Sequence, residues 1–270
     1  MISVIVPTHN RRALLERKLR ALEGQEGGFE VIVVADGCTD DTVEWLGRYP
    51  AGFPLQCLET EGKGAACARN RGAEVAQGDI LLFSDDDVIP GPGWIAAHQR
   101  AHSSPKTVAV GRLLLPPQLK SSGAAELPGP ALFWWNATGN NTSLPRSLFE
   151  AVGGYDPEHF AGYGGEDPDL AYRLRKAGAR FVFIKEAEAV HEAWDHHGSA
   201  LSRARKAGAA HMRVYRKYQD PAMAWALGVH PALLVLKMTL LPWAKGLWGP
   251  RGDYELAYAW GAWEEYRAPR

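Results

Sequence analysis

The chain has 270 residues, 46% hydrophobic and 23% charged, with a formal net charge of −1. That is an ordinary globular composition, long enough for one large domain or a domain with an extension, and its near-neutral balance removes the electrostatic case for nucleic acid as a partner. Three cysteines, Cys38, Cys57 and Cys67, have neither metal-ligand nor redox spacing and point to a reducing, cytoplasmic setting.

The first apolar run, "ISVIV" at 2 to 6, is short and lacks a basic lead, so it reads as a buried strand and not a signal peptide. Leu15, Leu19 and Leu22 then fall at helical spacing. "EVIVVAD" at 30 to 36 is a second strand, followed by a short helix carrying Val43 and Leu46. "LQCLE" at 55 to 59 is a third strand. An Ala-rich helix at 62 to 76 is entered through two glycines. "DILLFSD" at 79 to 85 and "TVAVGRLLL" at 107 to 115 complete five strands. Strands alternating with helices predict βαβ units: a Rossmann-like, mainly parallel sheet with helices on both faces.

Residues 116 to 130 are rich in Pro, Gly and Ser and read as a loop. A helix is expected around Leu148 and Val152, and another carries Leu170 and Leu174 and stops at Gly178. "RFVFI" at 180 to 184 is a strand, and 199 to 217 is a strongly basic helix. The stretch 222 to 248 is rich in Leu and Trp but is interrupted by Lys237, Pro242 and Lys245, so a spanning helix is not expected. Trp and Lys at the edge of an apolar helix suit peripheral contact with the inner membrane face. Packing on the domain, or in a homodimer, is the equal alternative.

In parallel sheets, ligands bind beyond the carboxyl ends of the strands. Here those ends carry Thr8-His9-Asn10, Asp36-Gly37 and Asp85-Asp86-Asp87. The acidic triplet is either a solvated turn or a place for a hard divalent cation, which takes one or two carboxylates together with substrate phosphates. Asp36 is either a turn residue or a hydrogen-bond acceptor for a base or ribose; a dinucleotide fold is disfavoured because "PTHNRR" lacks the glycine fingerprint. Lys63 and Arg69 lie in "GKGAACARNRG", either on a solvated helix face or beside a phosphate. In "YGGEDPDL", Pro168 suits the first helical position, so Asp167 is either an N-cap or a general base next to Glu166. Trp134 and Trp135 offer aromatic faces for stacking on a sugar.

Five blocks, "VIVPTHNR", "VVADGCTDDT", "ARNRGAEVAQGDILLFSDDDV", "TGNNTSLPRSLFEAVGGYD" and "GYGGEDPDLAYRLRKAG", resemble in order those of family 2 glycosyltransferases with the GT-A fold, over roughly residues 2 to 190. The resemblance implies a catalytic domain over 1–198, with a nucleotide-binding half at 1–115 and an acceptor-binding half at 116–198, followed by a helical extension at 199–270. It implies a nucleotide-diphosphate sugar donor, favouring UDP, a Mn2+ or Mg2+ cofactor, and inverting transfer to a glycan or lipid-linked acceptor hydroxyl. By position, Pro7, Thr8, Asn10 and Arg11 line the nucleotide pocket, Asp36 meets the base, and Lys63 and Arg69 lie near the nucleotide or diphosphate. Asp85 contacts ribose or sugar. Asp87 binds the metal, with Asp86 as runner-up ligand or donor contact, and His191 joins it, His196 and His197 being alternatives. Asp167 is the base and Glu166 orients hydroxyls, while Trp134, Trp135, Asn140 and Gly165 form the acceptor side. Two rivals remain: a sugar-phosphate nucleotidyltransferase, against which the glycine-free first turn speaks, and a non-catalytic nucleotide-sugar-binding module.

Overall fold

A computed structural model describes residues 1–114, 133–160, 164–192, 200–243 and 245–269. One compact unit comprises Met1–Ala161 with Asp169–Trp194; the other comprises Gly162–Pro168 with Asp195–Arg270.

The first unit is built on an eight-stranded sheet. Its strands are β1 (Ile2–Thr8), β2 (Phe29–Asp36), β3 (Leu55–Thr60), β4 (Ile80–Phe83), β5 (Val88–Pro90), β6 (Thr107–Leu114), β7 (Thr142–Pro145) and β8 (Arg180–His191), in the order β3-β2-β1-β4-β7-β6-β8-β5. β3, β2, β1 and β4 are mutually parallel, β7 runs antiparallel to both its neighbours, β6 and β8 are parallel, and β5 is antiparallel to β8. β1 and β2 are continuous apolar runs because both faces of the central sheet are covered. Helix α1 (Arg12–Leu22) buries Leu15, Leu19 and Leu22 against it. Helix α3 (Ala65–Val75) lies close to the sheet through small residues: a Cβ on Gly72 would stand 2.6 Å from Ile5 Cγ2. Helix α2 (Thr42–Leu46) follows β2 as expected.

Several elements differ from the sequence reading. The strand expected to run to residue 85 ends at Phe83, which frees the three aspartates from the sheet. β5, β7 and helix α4 (Trp94–Ala101) were not expected. β5 has three residues, β7 offers one aliphatic side chain in "TSLP", and the apolar face of α4 is interrupted by a buried His98. β8 has twelve residues, not five. Its polar second half keeps pairing with β6 after a register shift at Gly111/Arg112, a local irregularity that re-aims the strand. Helix α5 (Arg146–Ala151) and helix α6 (Glu166–Lys176), ended by Gly178 at φ 82°, match expectation.

The second unit is helical. It contains α7 (Ala200–Tyr218), α8 (Pro221–Leu227), α9 (Pro231–Leu240) and α10 (Lys245–Arg267), the last kinked at Gly249. α7 and α10 cross at backbone contact. A Cβ on Gly208 would lie 2.0 Å from Tyr258 O, and one on Gly261 would lie 1.8 Å from Arg205 O. The stretch Pro221–Leu240 has mean hydropathy 1.4 and the length of a membrane span, but Gly228, at φ 75°, divides it into α8 and α9.

Candidate active site

The acidic triplet forms the turn between β4 and β5, and each carboxylate has a different partner. Arg69 Nη2 donates to Asp85 Oδ1 at 2.8 Å. Thr8 Oγ1, at the end of β1, donates to Asp86 Oδ2 at 2.7 Å. Arg11 Nη1 bridges the other two, at 3.3 Å from Asp86 Oδ1 and 3.1 Å from Asp87 Oδ2. His191 Nε2 lies 3.3 Å from Asp87 Oδ1. Sheet pairing explains that last contact: β5 sets Val88 opposite His191, and Glu192 N donates to Asp87 O at 2.8 Å.

Behind the turn stands Lys18 of α1, which is fully buried. Its Nζ donates to Ser84 Oγ at 2.5 Å and to Val88 O at 2.7 Å, and lies 5.4 Å from the centre of the Trp94 ring. One ammonium therefore clasps the residues on both sides of the three aspartates. The triplet is thus neither a solvated turn nor three unbalanced charges, because cations face it from three directions.

Burial sets the proton affinities. It pushes the Asp86 carboxyl from 3.8 up to about 6, with Thr8 and Arg11 acting against the rise. Burial acts upward on Asp87 too, but His191, Arg11 and Lys18 outweigh it and hold the carboxyl below its usual value. Burial pulls Lys18 down from 10.5 to about 7, against the attraction of the three aspartates. Asp87 therefore keeps its charge more firmly than Asp86. Its buried Oδ1 accepts no hydrogen bond of good geometry, and the His191 ring faces that oxygen. One anionic oxygen and one imidazole nitrogen suit Mn2+ or Mg2+ as a partial ligand set that donor phosphates and water would complete. No group of three or more His, Cys, Asp or Glu side chains with metal-site geometry occurs among the described residues.

Other predicted donor residues lie on the same strand ends, but several spend their side chains on the loops. Asp36 Oδ1 accepts from Thr60 Oγ1 at 2.6 Å and from the Gly62 and Lys63 backbone N–H groups at 3.0 Å each; Oδ2 accepts from Gly64 N at 2.7 Å. Asp36 thus shapes the loop that enters α3. Asn10, at φ 52°, accepts on Oδ1 from Thr39 N at 2.7 Å and Asp40 N at 3.1 Å, tying the first loop to the second. Pro7 lies inside β1 opposite Val34. The Lys63 side chain is exposed and pairs with Glu61 at 3.0 Å, whereas Arg69 is buried over the Tyr155 ring.

On the predicted acceptor side, Trp134 and Trp135 divide. Trp134 is buried beside Tyr172 and beneath Arg175, so its rings belong to the packing. Trp135 stacks parallel on Phe133 at 4.5 Å between centroids, and Phe133, which the sequence reading passed over, is 50% exposed. Thr138 Oγ1 donates to Asn140 Oδ1 at 2.5 Å. Gly164 and Gly165, at φ 75° and 100°, bend the chain into α6, which begins at Glu166. Asp167 is therefore the second helical residue and not the N-cap. Pro168 follows it inside the first turn, where its missing N–H would have had no helical partner. The predicted alternatives His196 and His197 lie outside the described residues.

The sequence reading also missed Asn141. It accepts on Oδ1 from Trp94 Nε1 at 2.9 Å, pairs there with His98 Nε2 at 3.0 Å, and donates to Ala187 O at 3.1 Å. This buried network fixes β7 against α4 and β8. Burial takes His98 down from 6.5 to about 3, so its imidazole is neutral.

Residues 3–153 match the model of glycosyl transferase family 2, and residues 120–197 match that of the N-terminal domain of galactosyltransferase. The chain is 31% identical over 240 residues to validoxylamine A glucosyltransferase of Streptomyces hygroscopicus subsp. jinggangensis, covering 71% of this chain and 56% of that protein. It spans about half the length of the curated relatives it matches first. Among solved structures, mannosyltransferase PcManGT from Pyrobaculum calidifontis, in complex with GDP-Man and Mn2+, superposes with a TM-score of 0.67 at 22% identity, over 97% of this chain and 86% of that one. S. aureus TarS in complex with UDP superposes with a TM-score of 0.63 at 17% identity, over 98% and 91%. These likenesses establish the GT-A fold expected from the five blocks. With a family match that covers more than half of its length, and an acidic turn at the end of its fourth strand, this chain belongs to glycosyl transferase family 2.

Proposed function

We propose that the protein is a metal-dependent, inverting hexosyltransferase that moves a sugar from a nucleotide-diphosphate sugar, with UDP-sugars favoured, to a hydroxyl of a glycan or lipid-linked acceptor in cell-surface or polysaccharide synthesis. The observation that carries the reading is the pairing of Asp87 with His191 at 3.3 Å in a turn lined by Arg11 and Arg69. Mn2+ bound to one structural neighbour, and the nucleotides in both, support it by likeness of fold.

Asp87 and His191 would hold the cation, which when bound offsets the charge that builds on the leaving diphosphate. Arg11, which pairs with Asp86 and Asp87, would with a cation bound be available to the donor phosphates. Asp85, partly exposed and steadied by Arg69, accepts from ribose or sugar hydroxyls. Asp167 takes the acceptor proton as the hydroxyl oxygen attacks the anomeric carbon. The new C–O bond forms on the face opposite the departing diphosphate, which keeps the bonding electrons, so a single displacement inverts the centre. Glu166 orients the hydroxyls, and Phe133 with Trp135 offers the ring face on which a sugar stacks.

A thermal-shift panel of UDP-, GDP-, TDP- and CMP-sugars with and without Mn2+ identifies the donor. Asp167→Asn should retain donor binding and lose about 10²- to 10⁴-fold in transfer. Full turnover by that variant would remove the base assignment. Pyrophosphate release from a nucleoside triphosphate and a sugar phosphate would instead favour a nucleotidyltransferase.

A further inference from the structure

Helix α9 is apolar apart from Lys237 and Thr239, yet only one side is covered. Leu234 is fully buried within the helical unit, and Lys237 is tied by its ammonium to Glu255 at 2.7 Å. The outer side carries Ala232, Val235, Leu236, Thr239 and Leu240, and Trp243 continues the line just past the helix end. At 100° per residue, these six positions fall within an arc of about 140°. All six are exposed, Trp243 at 90%, and no charged residue interrupts them. The single polar group of the stripe is already satisfied: Thr239 Oγ1 donates to Val235 O at 2.9 Å and Leu236 O at 3.1 Å. The face therefore offers apolar surface and one indole, with nothing that asks for water or for a specific hydrogen-bond partner.

Charge indicates the occupant. Residues 199–270 contain eleven Lys and Arg against five Asp and Glu, a net +6. The remainder of the chain is net −7, so the basic character is concentrated in this C-terminal segment. Two copies facing each other through this stripe would bring like charges together, whereas an anionic lipid surface would be attracted. Length fixes the mode. A ten-residue helix is about 15 Å long and cannot cross a hydrocarbon core of about 30 Å. We propose that the outer face of α9, with Trp243 as its interfacial anchor, lies in the plane of an anionic bilayer and docks the protein on it peripherally. No donor-site residue takes part in it, so its failure would leave the transferase reading untouched.

The test uses the full chain in vesicle flotation, with phosphatidylcholine alone and with phosphatidylcholine mixed with phosphatidylglycerol. The wild type should float with the mixed vesicles only, and release on raising salt. Combined Val235→Ser, Leu236→Ser, Leu240→Ser and Trp243→Ser substitutions should lower partitioning at least about tenfold, with the melting temperature unchanged because the side chains are exposed. Trp243→Ala alone, which cannot disturb packing, should lower it severalfold. A wild type that stays at the bottom of the gradient with the mixed vesicles overturns the proposal. So does either variant floating as well as the wild type, or a wild-type dimer in sedimentation velocity that the combined variant converts to monomer.

Discussion

Replacing Lys18 by Met tests whether the acidic turn is held from behind. The substitution keeps the length and apolar stem of the side chain and removes the ammonium. Ser84 Oγ and Val88 O lose their donor, and an unmet buried polar group costs about 1–3 kcal/mol. Against this stands the penalty of burying the ammonium, which depresses its pKa from 10.5 to about 7. The two effects separate with pH. Between about 7 and 10.5 the unfolded chain holds the lysine proton and the folded chain does not, so wild-type stability rises with pH through this window. Integrated from about pH 7 to about 8.5, the gain is about 1.5 kcal/mol, and Lys18→Met cannot share it. Urea denaturation of both proteins at the two pH values should therefore show the variant falling further behind at the higher one. A stability difference that stays constant, or shrinks, would mean that the ammonium is not buried as described. Lys18→Arg, which keeps the charge but not the compact donor, should not restore the wild-type profile.

Asp86 and Asp87 should respond in opposite ways. Burial raises the Asp86 carboxyl from 3.8 to about 6, so the folded protein binds that proton more tightly than the unfolded chain, and the stability this confers at low pH is lost as pH rises through about 6. Asp86→Asn should accordingly stabilise the metal-free protein by about 3 kcal/mol near neutral pH and retain Mn2+ binding in calorimetry; lost Mn2+ binding would make Asp86 the ligand. Asp87→Ala should abolish Mn2+-dependent donor binding; an unchanged thermal shift with donor and Mn2+ would reject Asp87 as ligand. Gly261→Ala would drive its Cβ to 1.8 Å from Arg205 O, a backbone atom that no rotamer can move, and should destabilise the helical unit by about 3 kcal/mol in thermal melts.

What the sequence could disclose depended on how locally each feature is determined. The parallel half of the sheet was legible because strands buried on both faces need long β-branched runs, as in "ISVIV" and "VIVVA". The collection of Thr8, Asp36 and the aspartates on one edge followed from strand direction alone. β5 and β7 were not legible, because strands of three and four residues take their conformation from neighbours distant in sequence. The same distance hid the reason for His191, which reaches Asp87 only because β8 runs seven residues beyond its apolar core. Lys18 did leave a signal. It falls between Leu15, Leu19 and Leu22 on the apolar stripe of α1, where a solvated charge has no place.

That misplaced lysine bears on why three adjacent aspartates are tolerable without a cation. Arg11 is half exposed, so it would be able to leave Asp86 and Asp87 for a metal and diphosphate. Lys18 is enclosed and cannot leave. The enclosed amine, through its bonds to Ser84 Oγ and Val88 O, would hold the turn in shape, while the exposed guanidinium would give way to the ligand. A turn held only by exposed groups would open whenever the site emptied, and one held only by enclosed groups would leave no room for a ligand. Loss of Lys18 should therefore weaken folding and Mn2+ binding together, whereas Arg11→Ala should leave stability nearly intact and raise the KM for donor.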